Sequence, residues 1–283
     1  MRTPPDVAAA GQIACLLEVS APKPGNVSPG RHFHDTRYED FLASAIAIGP
    51  ALAAAGDQPL GATILAAVQA TARWARSNTN LGIILLLAPL ARAALLRGEE
   101  PLRSRLRAVL AETTVADAAM VYAAIRQARP GGLGASASED VAAAPTVALT
   151  AAMALAAGRD SVAREYATEF TVTFDVGTPA LREARHAGLD WSDAAVECYL
   201  RILAAVPDTH IARKLGREEA EAISGRARAV AAAGGVRTEA GRRELLAFDA
   251  ELRGPTNARN PGTTADLTCA ALFVVILEDG WNA

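Results

Sequence analysis

An all-α fold is what this sequence predicts, and three observations carry that reading. Alanine and leucine dominate a hydrophobic fraction of 51%, while aromatic residues stand at only 5%; small side chains favour close helix packing over sheet. The chain parses into roughly a dozen apolar segments of helical length separated by Pro, Gly, Asn and Asp turns. Strict alternation is absent except at residues 171–174 (Thr-Val-Thr-Phe), which are expected to finish a helix.

The stretch that organises the rest is 77–90. Ser77-Asn78-Thr79-Asn80 opens directly onto Leu81, and no polar stripe follows before Arg92. Such a segment is a central, fully enclosed helix. Asn78, Thr79 or Asn80 can cap it, and its unpaired N–H groups form an anion cradle. Pro89 is expected to bend or end it. The design recurs near the other end, where the turn-rich residues 254–266 feed the apolar run 267–277.

A chain of 283 residues can bury a substantial core, and one domain over 1–283 is expected. A net charge of −3 gives no electrostatic case for nucleic acid or an anionic membrane. Cys15, Cys198 and Cys269 lie far apart in apolar settings, which fits buried thiols better than disulfides or a metal site. The first residues lack a signal-peptide pattern, and the greasiest runs fall short of the roughly 20 residues that span a bilayer. A soluble, cytoplasmic protein is expected.

Residues 6–20 form a first helix. Pro22-Lys23-Pro24-Gly25 then reverses the chain, and its prolines pre-orient Lys23 as a phosphate ligand, a plain rigid loop being the alternative. Thr36-Arg37-Tyr38-Glu39 has the spacing of a capping box and opens a helix to about residue 55. Asp35, at its mouth, is a candidate for magnesium or a substrate hydroxyl, or simply an anion on the helix dipole. His32 and His34 do not make a zinc site.

Helices follow at about 60–76, from 80, at 101–112 and at 114–128, the last opened by Thr113 or Thr114 with Asp117. The glycine-rich run 129–136 lacks a Walker lysine and reads as a connector or an active-site flap. Beyond a helix to 157, Arg159, Asp160 and Arg164 make either a phosphate clamp or a salt-bridged junction. In it Asp160 caps a helix and pairs with Arg164. Helices at 177–187 and 192–206 precede a turn, Asp208-Thr209-His210-Ile211-Ala212-Arg213-Lys214, that concentrates an acid, a hydroxyl, an imidazole and two cations. Charged helices at 217–233 and 238–252 come before Asn260 and Asp266.

These pieces together resemble the CitG/MdcB family of triphosphoribosyl-dephospho-CoA synthases. The resemblance rests on Pro22-Lys23-Pro24-Gly25, Asp35 with Phe41-Leu42 and Ser44, Asn78-Thr79 with Gly82, Asp208-Thr209, and Asn260-Pro261-Gly262 with Ala265-Asp266. It runs in order from about residue 14 to 277. It implies an all-α enzyme that joins ATP to 3′-dephospho-CoA with release of adenine. By that resemblance Lys23, Asp35, Asn78, Thr79, Asp208, Asn260 and Asp266 carry over. Asn80, Arg159, Arg164 and Arg213 join them as phosphate-binding candidates from the residues themselves.

Three departures stand out. The family's Asn-Thr-His-Lys-Gly is Asn78-Thr79-Asn80-Leu81-Gly82 here, the second acid of its Asp-Met-Asp is Arg37, and its Asp-Thr-Asn ends in His210. The chain therefore resembles the divergent branch found in archaea and some methylotrophs.

The chemistry suits these residue types. Displacing adenine from C1′ builds positive charge on the ribose, which carboxylates stabilise. Asp35, Asp208 and Asp266 are the expected catalytic acids, with Mg²⁺ held by Asp35 and Asp208 and ATP as substrate. The expected partners are small-molecule nucleotides, with no nucleic acid or membrane and with room for a homodimer. Rival readings are a family member acting on another acceptor in C1-cofactor (methanopterin- or methanofuran-type) biosynthesis, a non-catalytic nucleotide-binding helical protein, and a helical ADP-ribose hydrolase.

Overall fold

A computed structural model describes every residue except 1, 132, 133, 135–137, 255, 282 and 283. The glycine-rich run expected as connector or flap lies largely outside the described residues. Among those described there is no strand; an isolated bridge pairs Ser28 with Arg31 across a tight turn.

Helix α1 (Pro4–Ser20) starts earlier than expected, because Thr3 and Asp6 cap it reciprocally and its prolines sit in the first turn, where an N–H is not needed. The helix expected up to residue 55 is broken at Ile48, before Gly49-Pro50, into α2 (Tyr38–Ala47) and α3 (Gly49–Ala53). Its capping box is shifted by one residue. Asp40 accepts from the Arg37 N–H at 2.8 Å, while the Thr36 hydroxyl turns to Asp35 and to Ser77. The stretch Tyr38–Gly56 has the length and apolar composition of a membrane span, but it is broken in this way and packs on α1 and on α4 (Leu60–Thr71).

Helix α5 (Leu81–Leu95) is the enclosed helix expected, with Ile84, Leu86, Leu87 and Leu90 fully buried. Pro89 does not end it. A proline lacks the N–H that would bond the carbonyl four residues earlier. Here the Tyr166 hydroxyl donates to that Leu85 carbonyl at 2.6 Å, so the helix continues.

Next come α6 (Leu102–Ala111) and α7 (Val115–Ala128), the latter opened by the Thr114–Asp117 box. Helix α8 (Leu149–Ala156) leads to α9 (Ser161–Ala167), capped by Asp160. Residues 171–174 begin a helix rather than finish one. Glu169 and Phe170 take left-handed backbone angles (φ 54° and 60°) that end α9. The buried Glu165 carboxylate then accepts from the N–H groups of Val172 and Thr173, both at 2.9 Å. The new helix passes through a wide turn at Thr173–Gly177 into α10 (Thr178–His186).

The chain ends with α11 (Trp191–Ala205), α12 (Thr209–Leu215), α13 (Arg217–Ala232), α14 (Glu239–Leu252) and α15 (Gly262–Glu278). Helices α1, α5 and α15 form the centre, with α4 and α6 beside α5, α7 against α4, and α10 and α11 against α15. Cys15 and Cys269 meet inside this centre as free thiols, 3.7 Å apart. This packing brings the polar entrances of α5 and α15 to the same end of the core.

Candidate active site

A polar chamber of about 550 Å³ opens where those two entrances meet α1 and α12. Glu18, Asp35, Asn78, Thr79, Asn80, His210, Lys214, Asn260 and Asp266 line it. An apolar annex of about 230 Å³ adjoins it, walled by α5, α7, α8 and α9. Asn78, Leu81, Gly82, Gly131, His210 and Asp266 belong to both spaces and mark their junction.

Asp266 holds the junction. Its carboxylate lies against the first turn of α5, where a β-carbon on Gly82 would collide with Oδ2 and displace the carboxyl. No hydrogen bond reaches that carboxylate from any described residue. Burial pushes its pKa well above the ordinary carboxylate range, and the nearby charges of Glu18, Asp208 and Asp160 push the same way against Arg213. A raised pKa favours the protonated form, which can donate a proton.

The α5 entrance is built by side chains that fix one another. Asn78 Oδ1 accepts from the Leu81 N–H at 3.0 Å, and the Thr79 hydroxyl bonds the Ser44 hydroxyl at 2.6 Å. Asn80 Nδ2 and Asn260 Oδ1 are buried without a partner in the protein. Buried polar atoms are rarely left unpaired, so two of them at one chamber wall mark a place built for a ligand. Asp35 is largely exposed at the opposite rim, beside His34.

Helix α12 supplies two groups that were not expected in the site, His210 and Lys214, beside the expected Arg213. The His210 ring stands at the junction, and its pKa falls to about 3 through burial and the charges of Lys214 and Arg213, so the imidazole is neutral. Lys214 lines the chamber, its pKa lowered by burial and partly restored by Asp35. Arg213 lines the annex, with one nitrogen on Asp160 and another 3.5 Å from His210 Nδ1. Glu18 is the further addition. It is a lone acid in an otherwise apolar stretch of α1, and it is buried at the chamber wall.

Three expected site residues are placed elsewhere. Lys23 is not held out toward a phosphate. It is 1% exposed, its ammonium sits 2.9 Å from Glu18 Oε1, and it also donates to the Glu18 and Ala21 carbonyls. The turn around it is clamped from below, with the Gly25 N–H on Asp249 at 2.8 Å and the Tyr199 hydroxyl on the Pro24 carbonyl at 2.7 Å.

Asp208 is 2% exposed and lines neither space. Its Oδ1 accepts from the N–H groups of His210 and Ile211 and its Oδ2 from the N–H and hydroxyl of Thr264, so no lone pair is left for a metal or a substrate. Arg164 points back to the Ala157 carbonyl, and Asp160 pairs with Arg213 in its place. Arg159, by contrast, is exposed and lines the annex.

Magnesium meets the same obstacle. With Asp208 committed to its four donors, no group of three or more His, Cys, Asp or Glu among the described residues is arranged to hold an ion. A resident metal cage does not fit this donor set. Of the two acids expected to hold magnesium, Asp35 alone lines the chamber.

Residues 4–283 match the family model described as CitG, ATP:dephospho-CoA triphosphoribosyl transferase. The chain belongs to this family. Among solved structures, one from Archaeoglobus fulgidus, described as a candidate triphosphoribosyl-dephospho-CoA synthase, is similar at 29% identity with a TM-score of 0.65. The match covers 85% of this chain and 100% of that one. A protein of Stutzerimonas stutzeri, described as a probable 2-(5″-triphosphoribosyl)-3′-dephosphocoenzyme-A synthase, is 35% identical over 40% of this chain and 38% of its own length. An Azotobacter vinelandii protein with the same description is 39% identical over 36% of this chain and 34% of its own. The chain thus spans about two-fifths or less of the length of these curated relatives. Within the CitG family fold, the α5 and α15 entrances carrying Asn78, Gly82, Asn260 and Asp266 are the ones that meet at the junction.

Proposed function

We propose that this chain, acting as a single helical domain in the cytoplasm, transfers the triphosphoribosyl group of ATP to an acceptor hydroxyl and releases adenine. The acceptor is 3′-dephospho-CoA. The observation that carries the reading is Asp266, a carboxyl at the junction of a polar and an apolar space with no hydrogen-bond partner among the described residues and a raised pKa, in a chain that matches this family over residues 4–283.

The residues divide the work as follows. Asn78, Asn80 and Asn260 bind ribose and phosphate oxygens, and Lys214 with Arg76 offsets the triphosphate charge along the chamber. Magnesium arrives with the triphosphate as its counter-ion, and Asp35 is the exposed carboxylate that meets it. As the bond from C1′ to the base breaks, the Asp266 carboxyl gives its proton to the departing adenine. Positive charge on the ribose is stabilised by the Asp266 carboxylate just formed and by Glu18. The acceptor hydroxyl forms the new C1′–O bond, and its proton restores the Asp266 acid. The cycle closes without net change to the protein.

Another acceptor alcohol is the second reading, favoured by Asn80 and Leu81 at the α5 entrance, where the family pattern has a histidine and a lysine. One assay separates the two: adenine release from Mg-ATP with and without 3′-dephospho-CoA. Release that depends on that acceptor supports the first reading, and slow release indifferent to it moves the choice to the second. No adenine with any acceptor alcohol rules out both.

A further inference from the structure

The annex has no assigned occupant, and its composition is unlike that of the chamber. Leu85, Tyr122, Ile125, Leu149, Met153 and Val162 form its walls. Tyr122 is held in place by its hydroxyl, which donates to the Glu139 carbonyl at 3.0 Å. At about 230 Å³ the annex falls below the roughly 300 Å³ at which pockets begin to hold a whole drug-sized ligand, so it suits one ring system rather than a nucleotide.

Building on the transfer reaction proposed above, we infer that the annex is the purine pocket, which takes the adenine of ATP and holds it as it leaves. The argument is one of connectivity. In ATP the ribose separates the triphosphate from the base. The chamber has Lys214, Arg76 and Arg129 together with two unpaired amides for a triphosphate, whereas the annex is mainly apolar; of the two arginines that line it, Arg213 is already paired with Asp160 and Arg159 is exposed. With the phosphates in the chamber and C1′ beside Asp266, the base points through the junction into the annex.

Two polar groups at that junction fit a purine. Asn78 spends its Oδ1 on the Leu81 N–H, which leaves its amide nitrogen without a partner among the described residues and free to donate to a ring nitrogen. Asp266 lines the annex as well as the chamber, which puts its proton on the side from which the base departs. Stacking between Tyr122 and the aliphatic walls is tolerant of ring orientation, so Asn78 supplies the directional contact.

Ala156 is half-buried at the end of α8 on the annex wall, and a tryptophan there fills the annex without entering the core. Leu155 lines the same rim and is 60% exposed, so Leu155→Arg gives an independent perturbation should Ala156→Trp fail to fold. Calorimetric titrations of Mg-ATP, inorganic tripolyphosphate and phosphopantetheine into the wild type and both variants form the test. The expected result is ATP binding weakened at least tenfold in each folded variant with tripolyphosphate binding unchanged. Equal ATP affinity in wild type and variants overturns the annex assignment and leaves the transfer reaction standing. Loss of phosphopantetheine binding in place of ATP overturns it as well, by giving the annex to the acceptor. A wild type that binds no ATP removes the transfer reaction and the annex assignment together.

Discussion

Exchanging Asp208 and Asp266 for asparagine, one at a time, separates a structural carboxylate from a chemical one. At a simple N-cap, Asn replaces Asp at little cost because one side-chain oxygen suffices. Asp208 uses both. Its Oδ1 serves two backbone N–H groups of α12, and its Oδ2 accepts from the Thr264 N–H at 2.7 Å and the Thr264 hydroxyl at 2.8 Å. In Asp208→Asn an NH₂ group must face one of these donor sets. If it faces Thr264, the hydroxyl can turn to accept, but the buried N–H loses its charged partner. That costs about 2–4 kcal/mol, a lost charge-assisted bond plus an unsatisfied donor. For a chain of this size the midpoint of thermal unfolding should drop by roughly 4–8 °C.

Asp266→Asn should behave in the opposite way. The wild-type carboxyl has a pKa raised in the folded state, so the stability it contributes is full below its unfolded pKa and is lost as pH rises toward the folded value. Asparagine has no proton to lose, and the variant should be at least as stable as the wild type at pH 7. Its adenine release should fall by about 10²–10⁴-fold, the usual worth of a general acid. Thermal unfolding by circular dichroism and an adenine-release assay on both variants give the comparison. A stable but inactive Asp208→Asn beside an active Asp266→Asn would refute the roles assigned here.

Other consequences follow from single contacts. Lys23→Ala leaves the buried Glu18 carboxylate without its ion pair, and denaturant unfolding should show a loss of about 3–5 kcal/mol; an unchanged midpoint with weakened ATP binding would return Lys23 to the phosphate site. His210→Gln should flatten part of the acid limb of stability. The histidine is neutral in the fold down to about pH 3 but takes up a proton near its ordinary 6.5 when unfolded, so wild-type stability falls as pH drops through that window. Parallel acid limbs in wild type and variant would show that the ring is accessible and charged. Tyr166→Phe strips the Leu85 carbonyl of the donor that replaces the Pro89 N–H, and should cost about 1–3 kcal/mol in urea unfolding. A neutral result would mean that water reaches that carbonyl.

What could be read in the sequence was local. The enclosed α5 and its Asn-Thr-Asn entrance, the Thr114–Asp117 box and the Asp160 cap are decided within a few residues, and the structure has each of them. The polar turns that carry Asn78, Asn260 and Asp266 were legible as entrances to apolar helices, and the family resemblance singled out these three residues within them; all three line the chamber. The misplacements are long-range in origin. Pro89 continues its helix because of a hydroxyl 81 residues from the carbonyl it serves, and Asp208 spends its second oxygen on a residue 56 positions away. Lys23 looked like a surface cation because nothing local shows that α1 folds Glu18 back over it. His210 and Lys214 joined the site only because α12 formed a helix where a turn was expected.

The transfer itself is tested most directly by the products. Purified chain, Mg-ATP and 3′-dephospho-CoA are incubated, and the mixture is read by mass spectrometry. The account predicts free adenine in step with an acceptor heavier by one triphosphoribosyl unit, all three phosphates retained, and neither product from Asp266→Asn. ADP, AMP or pyrophosphate appearing in place of adenine, with the acceptor mass unchanged, would contradict it.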